Sequence, residues 1–355
     1  MTSDSPPVLR AGCLISGDQL PDLMKFFFAL LCCLSFGFCS SQPASNNPGI
    51  VEILDRSALQ WLDPTSAFDT LASGFSWSEG PLYIGDGDFW LFSDVPENKV
   101  YKIGPDNALS VFLAPSGYTG TQPRGGEPGS NGLLLDPQGR LVLMQHGDRR
   151  VARMKAKLQA PKPEFESVIT HFEGKRFNSP NDGVFDREGN LYFTDPPYGL
   201  EQGMDDPAKE TRFQGVYCLL KSGELLLVDS LSRPNGLALT PDESTLLVAV
   251  SDPQQAAWYR YPLQAPGQVK TRQLFYDATA LVGQAGYVGL PDGMKMHPSG
   301  SLFASGPGGI WVFDQKGKAV ARVKTGQATS NCAFSGDWKT LLITADAFIF
   351  ALEIK

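Results

Sequence analysis

Cysteine and histidine are scarce in this chain of 355 residues, and their scarcity argues against two kinds of site. Six cysteines are present, but only Cys218 and Cys332 come after residue 39. Both lie in apolar segments, so they predict buried free thiols rather than a disulfide framework. The three histidines, His146, His171 and His297, show no spacing typical of zinc ligands. We therefore expect neither a disulfide-stabilised fold nor a histidine–cysteine zinc cluster.

Positive charge and the common catalytic motifs are lacking as well. The formal net charge is −8 at pH 7 and the isoelectric point is near 5.0, which offers no basic surface for nucleic acid. No G-x-S-x-G elbow, Walker loop, G-x-G-x-x-G or H-E-x-x-H motif occurs. These absences exclude the usual sequence signatures of α/β-hydrolases, P-loop enzymes, dinucleotide-binding folds and zinc proteases.

Long hydrophobic runs are limited to one stretch near the start. Met24-Lys25 begins MKFFFALLCCLSFGFCSS, whose apolar part of about 14 residues is too short for a membrane span but suits a signal peptide. We predict a signal peptide at 24–39 and a linker at 40–50. Residues 1–23 carry no periodic pattern and are predicted to be an upstream misreading or disordered.

The end of this leader bears on location. Cys39, followed by Ser-Ser-Gln-Pro, resembles the attachment cysteine of a bacterial lipoprotein, although Phe38 replaces the usual small residue. We predict an exported protein, periplasmic or secreted. Plain export is preferred, and a lipid anchor at Cys39 is the alternative and the only predicted contact with a membrane.

What the chain does contain is a repeat. Asn178–Gly199 reads as a β-hairpin, because apolar runs flank a glycine-containing turn. Similar units recur along the chain with steps of 52, 50, 54, 57 and 39 residues. Such a period with several short strands is typical of propeller blades. We predict an all-β, six-bladed propeller with a central metal-binding tunnel over residues 51–355, whose units begin at Glu79, Asn131, Asn181, Asn235, Asp292 and Asn331.

The polar residues that start the units are candidate ligands. If each begins an inner strand, the six side chains converge on one end of the axis, where burying them unpaired would be costly. A hard divalent cation resolves this, since carboxylates and amide carbonyls are usual calcium ligands. Three long loops should crowd the same end and supply binding residues: Ala114–Ser130, Pro196–Gln214 and Ala278–Leu290.

Four short motifs contain unit-start residues: Ser78-Glu79-Gly80-Pro81, Asn178-Ser179-Pro180-Asn181-Asp182, Arg233-Pro234-Asn235-Gly236 and Pro291-Asp292-Gly293. As a set they resemble the signature of the gluconolactonase/senescence-marker-protein (regucalcin-like) family. The stretches Gln145–Arg150 and Asp195–Gly199 are similar to the bacterial gluconolactonase branch of that family.

The resemblance implies a set of roles. It implies a six-bladed propeller with a divalent metal in the tunnel, held by Glu79, Asn235 and Asp292, with Asn181 as a ligand or a substrate contact. It also implies that Asp292 is the general base. Asp182 resembles a ligand of the second calcium of the related paraoxonases. Their histidine dyad is not retained, because Asn131 stands where one histidine would fall.

The predicted function is hydrolysis of a lactone, a small-molecule cyclic ester, and a sugar lactone is preferred. Calcium would polarise the carbonyl, with zinc, magnesium or manganese as alternative ions, and Asp292 would activate water. Asn131 and Asn181 would orient the substrate, and His146 would transfer a proton or contact the substrate. Two alternatives stay open: a hydrolase of phosphotriesters or other lactones on the same site, and a non-catalytic exported propeller that binds a sugar or a partner.

Overall fold

Each repeated unit forms one antiparallel sheet, and the six sheets surround a common axis. The computed structural model describes residues 49–66 and 68–355, so the predictions for 1–23, 24–39 and most of 40–50 lie outside the described residues. Successive inner strands contact one another around the axis, and the last contacts the first. The prediction of an all-β, six-bladed propeller is confirmed.

The strands follow one another in chain order. Two strands precede the first blade: β1 (Ile50–Ile53) and β2 (Phe68–Ser73). Blade 1 contains β3 (Ser78–Ile84), β4 (Phe89–Asp94), β5 (Lys99–Ile103) and β6 (Leu109–Leu113). Blade 2 contains β7 (Ser130–Leu135), β8 (Leu141–Gln145), β9 (Arg150–Met154) and β10 (Phe165–Ile169), and a small hairpin, β11 (His171–Phe172) and β12 (Lys175–Arg176), follows it. Blade 3 contains β13 (Gly183–Phe185), β14 (Leu191–Asp195), β15 (Gly215–Leu219) and β16 (Leu225–Ser230).

The remaining blades have the same plan, with additions at their outer edges. Blade 4 contains β17 (Pro234–Leu239), β18 (Thr245–Val250), β19 (Ala257–Ala265), β20 (Gln268–Val269) and β21 (Gln273–Asp277). Blade 5 contains β22 (Met294–Met296), β23 (Leu302–Gly306), β24 (Gly309–Phe313) and β25 (Ala319–Lys324). Blade 6 contains β26 (Thr329–Phe334), β27 (Thr340–Ala345) and β28 (Phe348–Glu353). Short 3₁₀ helices occur at Arg56–Gln60, Gly203–Asp205 and Thr279–Leu281.

The N-terminal strands complete the last two blades. Strand β2 pairs with β28, with Phe68 opposite Leu352, and so supplies the outer strand of blade 6. The sequence places this strand within Val51–Thr70, a few residues earlier than its actual end. Strand β1 pairs with β25 and adds a fifth strand to blade 5, which the sequence does not predict. Both additions cover an edge that would otherwise be open for pairing.

Apolar packing lies between neighbouring blades. Every one of the six blade–blade interfaces contains its own cluster of buried apolar side chains. The second strand of a blade is covered on both faces, and in β8 and β23 every residue is buried. This burial explains why these strands read as continuous apolar runs rather than as an alternating pattern.

The predicted turns form at the end of the propeller away from the polar strand starts. In the turn between β7 and β8 of blade 2, Asp136 Oδ1 accepts hydrogen bonds from the backbone N–H groups of Gln138 and Arg140, both at 2.9 Å. Gly139 adopts a φ of 73°, which favours glycine. The same arrangement recurs at Asp186, whose Oδ1 accepts from Asn190 N at 2.8 Å. Within the described part of the chain, no helix has the length and apolarity needed to cross a membrane.

Candidate active site

A cavity of about 210 Å³ opens at the end of the axis where the inner strands begin. The prediction that three long loops crowd this end is confirmed, because each contributes to the wall: Glu127, Tyr198, and Gly289 with Leu290. Five of the six predicted strand-start residues also line the cavity: Glu79, Asn131, Asn181, Asn235 and Asp292. The sixth, Asn331, lies behind the wall and donates a hydrogen bond to Glu79 Oε2 at 3.3 Å.

Close approach between blades brings these side chains together. Gly132 donates its N–H to the carbonyl of Asn181 in the next blade at 2.7 Å. At Gly293, a Cβ atom would lie 1.9 Å from Cγ of Asn331, which is far inside van der Waals contact. The glycine that follows a site residue is therefore the point where two inner strands nearly touch, rather than a turn residue.

Side-chain hydroxyl groups on the strands form hydrogen bonds that join neighbouring blades around the axis. Ser93 donates to the carbonyl of Asn131 at 2.9 Å, and Thr194 donates to the carbonyl of Asn235 at 2.7 Å. Ser330 donates to the carbonyl of Ser78 at 2.6 Å and so joins blade 6 to blade 1. Each bond ties one blade to the backbone at the start of the next inner strand, which fixes where the site residues point.

Two amide side chains that line the cavity have a neighbouring acceptor for their NH₂ groups. Asn235 Nδ2 donates to Ser251 Oγ at 3.0 Å. Asn181 Nδ2 lies 3.4 Å from Nε2 of His146, a ring with no exposed surface. Since an amide presents oxygen on the side opposite its NH₂ donors, both residues can offer a carbonyl oxygen to the cavity.

Several buried oxygens in this region have no hydrogen-bond partner within the described residues. They are Asn131 Oδ1, Asn181 Oδ1, Asp182 Oδ2 and Asp292 Oδ1. Leaving one such group buried and unsatisfied costs about 1–3 kcal/mol. A hard divalent cation takes six to eight oxygen ligands of these types, so the donor set fits calcium.

The electrostatics point the same way. Burial raises the pKa of Glu79 to about 8, and the carboxylates of Asp182 and Glu127 add to the rise. Burial, and then the charge of Glu79, hold the pKa of Asp292 well above its ordinary value. Two buried carboxyl groups that repel each other when both are ionised are stabilised by a positive charge placed between them.

The fit depends on amides as much as on carboxylates. Residues 49–66 and 68–355 contain no group of three or more His, Cys, Asp and Glu side chains arranged to hold a metal. Glu79 and Asp292 could supply two carboxylates to a cation, and Asn181 and Asn235 could supply two neutral oxygens. Such a set suits a doubly charged ion that prefers oxygen and is poorly matched to a thiolate- or imidazole-bound metal.

Two predicted residues lie off the cavity wall. His146 is fully buried, with its Nδ1 atom 3.3 Å from Glu127 Oε2, so its burial argues against direct contact with a substrate. Asp182 is buried too, and burial raises its pKa while the positive charge of Lys295 opposes the rise. Its role as a ligand of a second ion stays a prediction.

Three wall residues carried no repeat signal in the sequence. Trp77 precedes the first inner strand, while Glu127 and Tyr198 lie in the long loops. The loops were expected to matter because of their position, but no pattern within them singled out these side chains.

Comparison with known proteins decides the family. Residues 77–347 match the region described as SMP-30/Gluconolactonase/LRE-like. The chain belongs to this family. It is also similar to a gluconolactonase of Zymomonas mobilis, with 40% identity over 299 residues, which are 83% of this chain and 83% of that protein. The predicted family and its gluconolactonase branch are confirmed.

Other relatives agree on the fold and vary in chemistry. A solved gluconolactonase structure from Xanthomonas campestris superposes with a TM-score of 0.73 at 28% identity, covering 88% of this chain and 97% of that one. A diisopropyl-fluorophosphatase of Loligo vulgaris is 25% identical over 278 residues, 75% of this chain and 85% of that protein. The relatives of this chain thus include hydrolases named for different substrates.

Proposed function

We propose that this protein hydrolyses a sugar lactone in the cavity at the end of the propeller axis, with a divalent cation, calcium by preference, held by Glu79, Asn181, Asn235 and Asp292. The enzyme class is well supported: a relative at 40% identity is a gluconolactonase, and the chain is a lactone hydrolase of that class. The observation that carries the cation is that buried oxygens of Asn131, Asn181 and Asp292, which have no hydrogen-bond partner within the described residues, line the cavity beside the buried carboxyl group of Glu79.

When bound, the cation supplies polarisation of an ester carbonyl and stabilisation of the charge that develops on its oxygen. The remaining chemistry belongs to the side chains. Asp292 lines the cavity, and its Oδ1 has no hydrogen-bond partner within the described residues, so it is free to accept a proton from water. We assign it the removal of a proton from the water that attacks the carbonyl carbon, and the return of that proton to the ring oxygen as the lactone C–O bond breaks.

The walls suit a small, ring-shaped substrate. A cavity of about 210 Å³ is smaller than the roughly 300–1,000 Å³ of sites for drug-sized ligands. Trp77 and Tyr198 offer aromatic surface for the faces of a sugar ring, and Asn131 offers hydrogen bonds to its hydroxyl groups.

A second activity is favoured by one relative. The similarity to a diisopropyl-fluorophosphatase supports hydrolysis of phosphotriester-like substrates on the same residues. The two activities would share the cation and Asp292 and differ in the loop residues that contact the substrate.

The test is pH-stat hydrolysis of glucono-1,5-lactone by the full chain. We expect turnover that a chelator abolishes and added calcium restores. Diisopropyl fluorophosphate, assayed in parallel, measures the second activity. Chelator-insensitive lactone hydrolysis would contradict the role of the cation, and no hydrolysis of either substrate by the calcium-loaded protein would contradict the proposed function.

For location, we propose export through the segment 24–39, with a lipid anchor at Cys39 as the alternative. These residues lie outside the described part of the chain. Mass spectrometry of the mature protein distinguishes a free N-terminus after residue 39 from a diacylated Cys39.

A further inference from the structure

We propose that Glu127 and His146 form a positioning pair that fixes the orientation of the Asn181 amide, so that Asn181 presents oxygen and not NH₂ to the cavity. This inference rests on the proposed function, because it assigns these residues to the support of the cation site. It names Glu127, which lies outside the repeat, as a residue on which the site depends.

The first step is the contact between Glu127 and the imidazole. Oε2 of Glu127 lies 3.3 Å from Nδ1 of His146, an atom with no aligned hydrogen bond within the described residues. A carboxylate can only accept, so this approach favours the proton on Nδ1. A small shift of the loop that carries Glu127 would align the pair into a full hydrogen bond.

The second step follows from the position of that proton. In the Nδ1–H tautomer, Nε2 is an acceptor. Asn181 Nδ2 lies 3.4 Å from Nε2, so the amide donates there and its Oδ1 is turned away. Oδ1 of Asn181 has no partner within the described residues, although the side chain is buried and lines the cavity. With the other tautomer, Nε2–H would attract Oδ1 and the amide would present NH₂ to the cation.

The third step is that this arrangement is clamped in place. Gly199 packs so closely on His146 that a Cβ atom there would lie 2.5 Å from Cβ of the histidine. Arg124, three residues before Glu127, donates from Nη1 to the carbonyl of Gly147 at 2.6 Å and from Nη2 to the carbonyl of Gly199. The imidazole is therefore held between two long loops, and its ring cannot move far from Asn181.

The test begins with the ring itself. In ¹⁵N-labelled full-length protein, the Nδ1–H and Nε2–H tautomers give distinct ring nitrogen shifts, and His146→Gln identifies the signal among the three histidines. We expect Nδ1–H in the unsubstituted protein and a shift toward Nε2–H in Glu127→Ala. The Nε2–H tautomer in the unsubstituted protein, or an unchanged tautomer in Glu127→Ala, would overturn the inference.

Calcium affinity, measured by calorimetry, is the second readout. Loss of a residue that orients a metal ligand typically weakens affinity by about 10–100-fold, which is our expectation for Glu127→Ala. Glu127→Gln keeps an acceptor for Nδ1–H and should retain most of the affinity. Equal losses in the two variants would show that only the charge matters and would overturn the positioning role.

A control variant tests whether the effects are specific to Glu127, and the two readouts distinguish failure of this inference from failure of the proposed function. Glu201→Ala removes an exposed carboxylate that lies 4.0 Å from Arg124 and does not contact His146, so it should leave both readouts unchanged. If the unsubstituted protein binds no calcium, the proposed function fails, while the tautomer measurement still decides whether Glu127 sets the state of His146.

Discussion

The axis of the propeller and the interfaces between its blades are built on opposite principles. The interfaces are apolar and well packed: Phe92 is fully buried, with its ring centroid 4.9 Å from that of Phe75 and 5.6 Å from that of Tyr101. The axis is polar and keeps oxygens that have no hydrogen-bond partner among residues 49–66 and 68–355, among them Asp292 Oδ1. Stability and chemistry are therefore assigned to different regions, and substitutions should separate them.

The largest effect on catalysis without an effect on stability is expected for a substitution of Asp292. Asp292→Asn keeps the size of the side chain and removes the proton acceptor, so kcat should fall by about 10²–10⁴-fold while the thermal unfolding midpoint changes little. Lactone hydrolysis and circular dichroism of the same sample measure the two effects. Asp69→Asn, at an exposed position of β2, is the matched control and should change neither kcat nor the thermal unfolding midpoint. Near-normal turnover of the Asp292 variant would remove this residue from catalysis.

A substitution of Phe92 is expected to lower stability and leave catalysis unchanged. Phe92→Ala leaves a cavity in the interface between blades 6 and 1 and should lower the free energy of unfolding by about 3–5 kcal/mol. Because Phe92 does not line the active-site cavity, kcat per folded molecule should be preserved at low temperature. Urea unfolding and active-site titration separate the two quantities. An equal loss of kcat in the folded fraction would show that the axis and the interfaces are coupled.

Gly293 lies where the two regions meet. Gly293→Ala drives a Cβ atom into the Asn331 side chain, which donates to Glu79. Overpacking should cost about 1–3 kcal/mol of stability, and displacement of Asn331 should weaken calcium binding as well. Gly85→Ala is the control, since its nearest neighbour would be 3.9 Å away. Calorimetric affinity equal in the two variants would contradict the close-approach argument.

The smallest expected effect is a pH dependence confined to the axis. Without a cation, burial holds the pKa of Glu79, about 8, and the pKa of Asp292 above their ordinary values, so protons compete with the cation at both carboxyl groups. Calcium affinity should therefore rise with pH, by about tenfold per pH unit for each carboxyl group that must lose its proton, and level off once both are ionised. Titrations at several pH values, with proton release measured in two buffers, give the slope. Glu79→Gln should bind more weakly and with a flatter dependence, and a flat profile in the unsubstituted protein would contradict the raised pKa.

The cavity residues at the starts of the inner strands could be predicted from the sequence better than those in the loops. The recurring polar residue, which glycine follows in four of the six units, located the inner strands, because inner strands approach each other closely around the axis. Asn181 and Asp292 precede their strands β13 and β22 rather than begin them, yet both still reach the cavity.

Residues without a repeat could not be found in this way. Glu127 and Tyr198 owe their positions to the paths of single loops, and the burial of His146 results from the loop that covers it. Strand β1 was missed because a fifth strand in blade 5 has no counterpart in the other units. A pattern can predict only what the architecture repeats.

The pairing of β2 with β28 has a consequence for biosynthesis. Strand β2 is synthesised early and β28 is synthesised last. Because Phe68 of β2 pairs with Leu352 of β28, β2 stays unpaired until synthesis is almost complete. Pairings this distant in sequence are slow to form, because the chain between them must be brought together first. Blade 6 therefore cannot be completed while the ribosome is still adding residues before β28, and a chain truncated there keeps an unpaired β2 and an open ring.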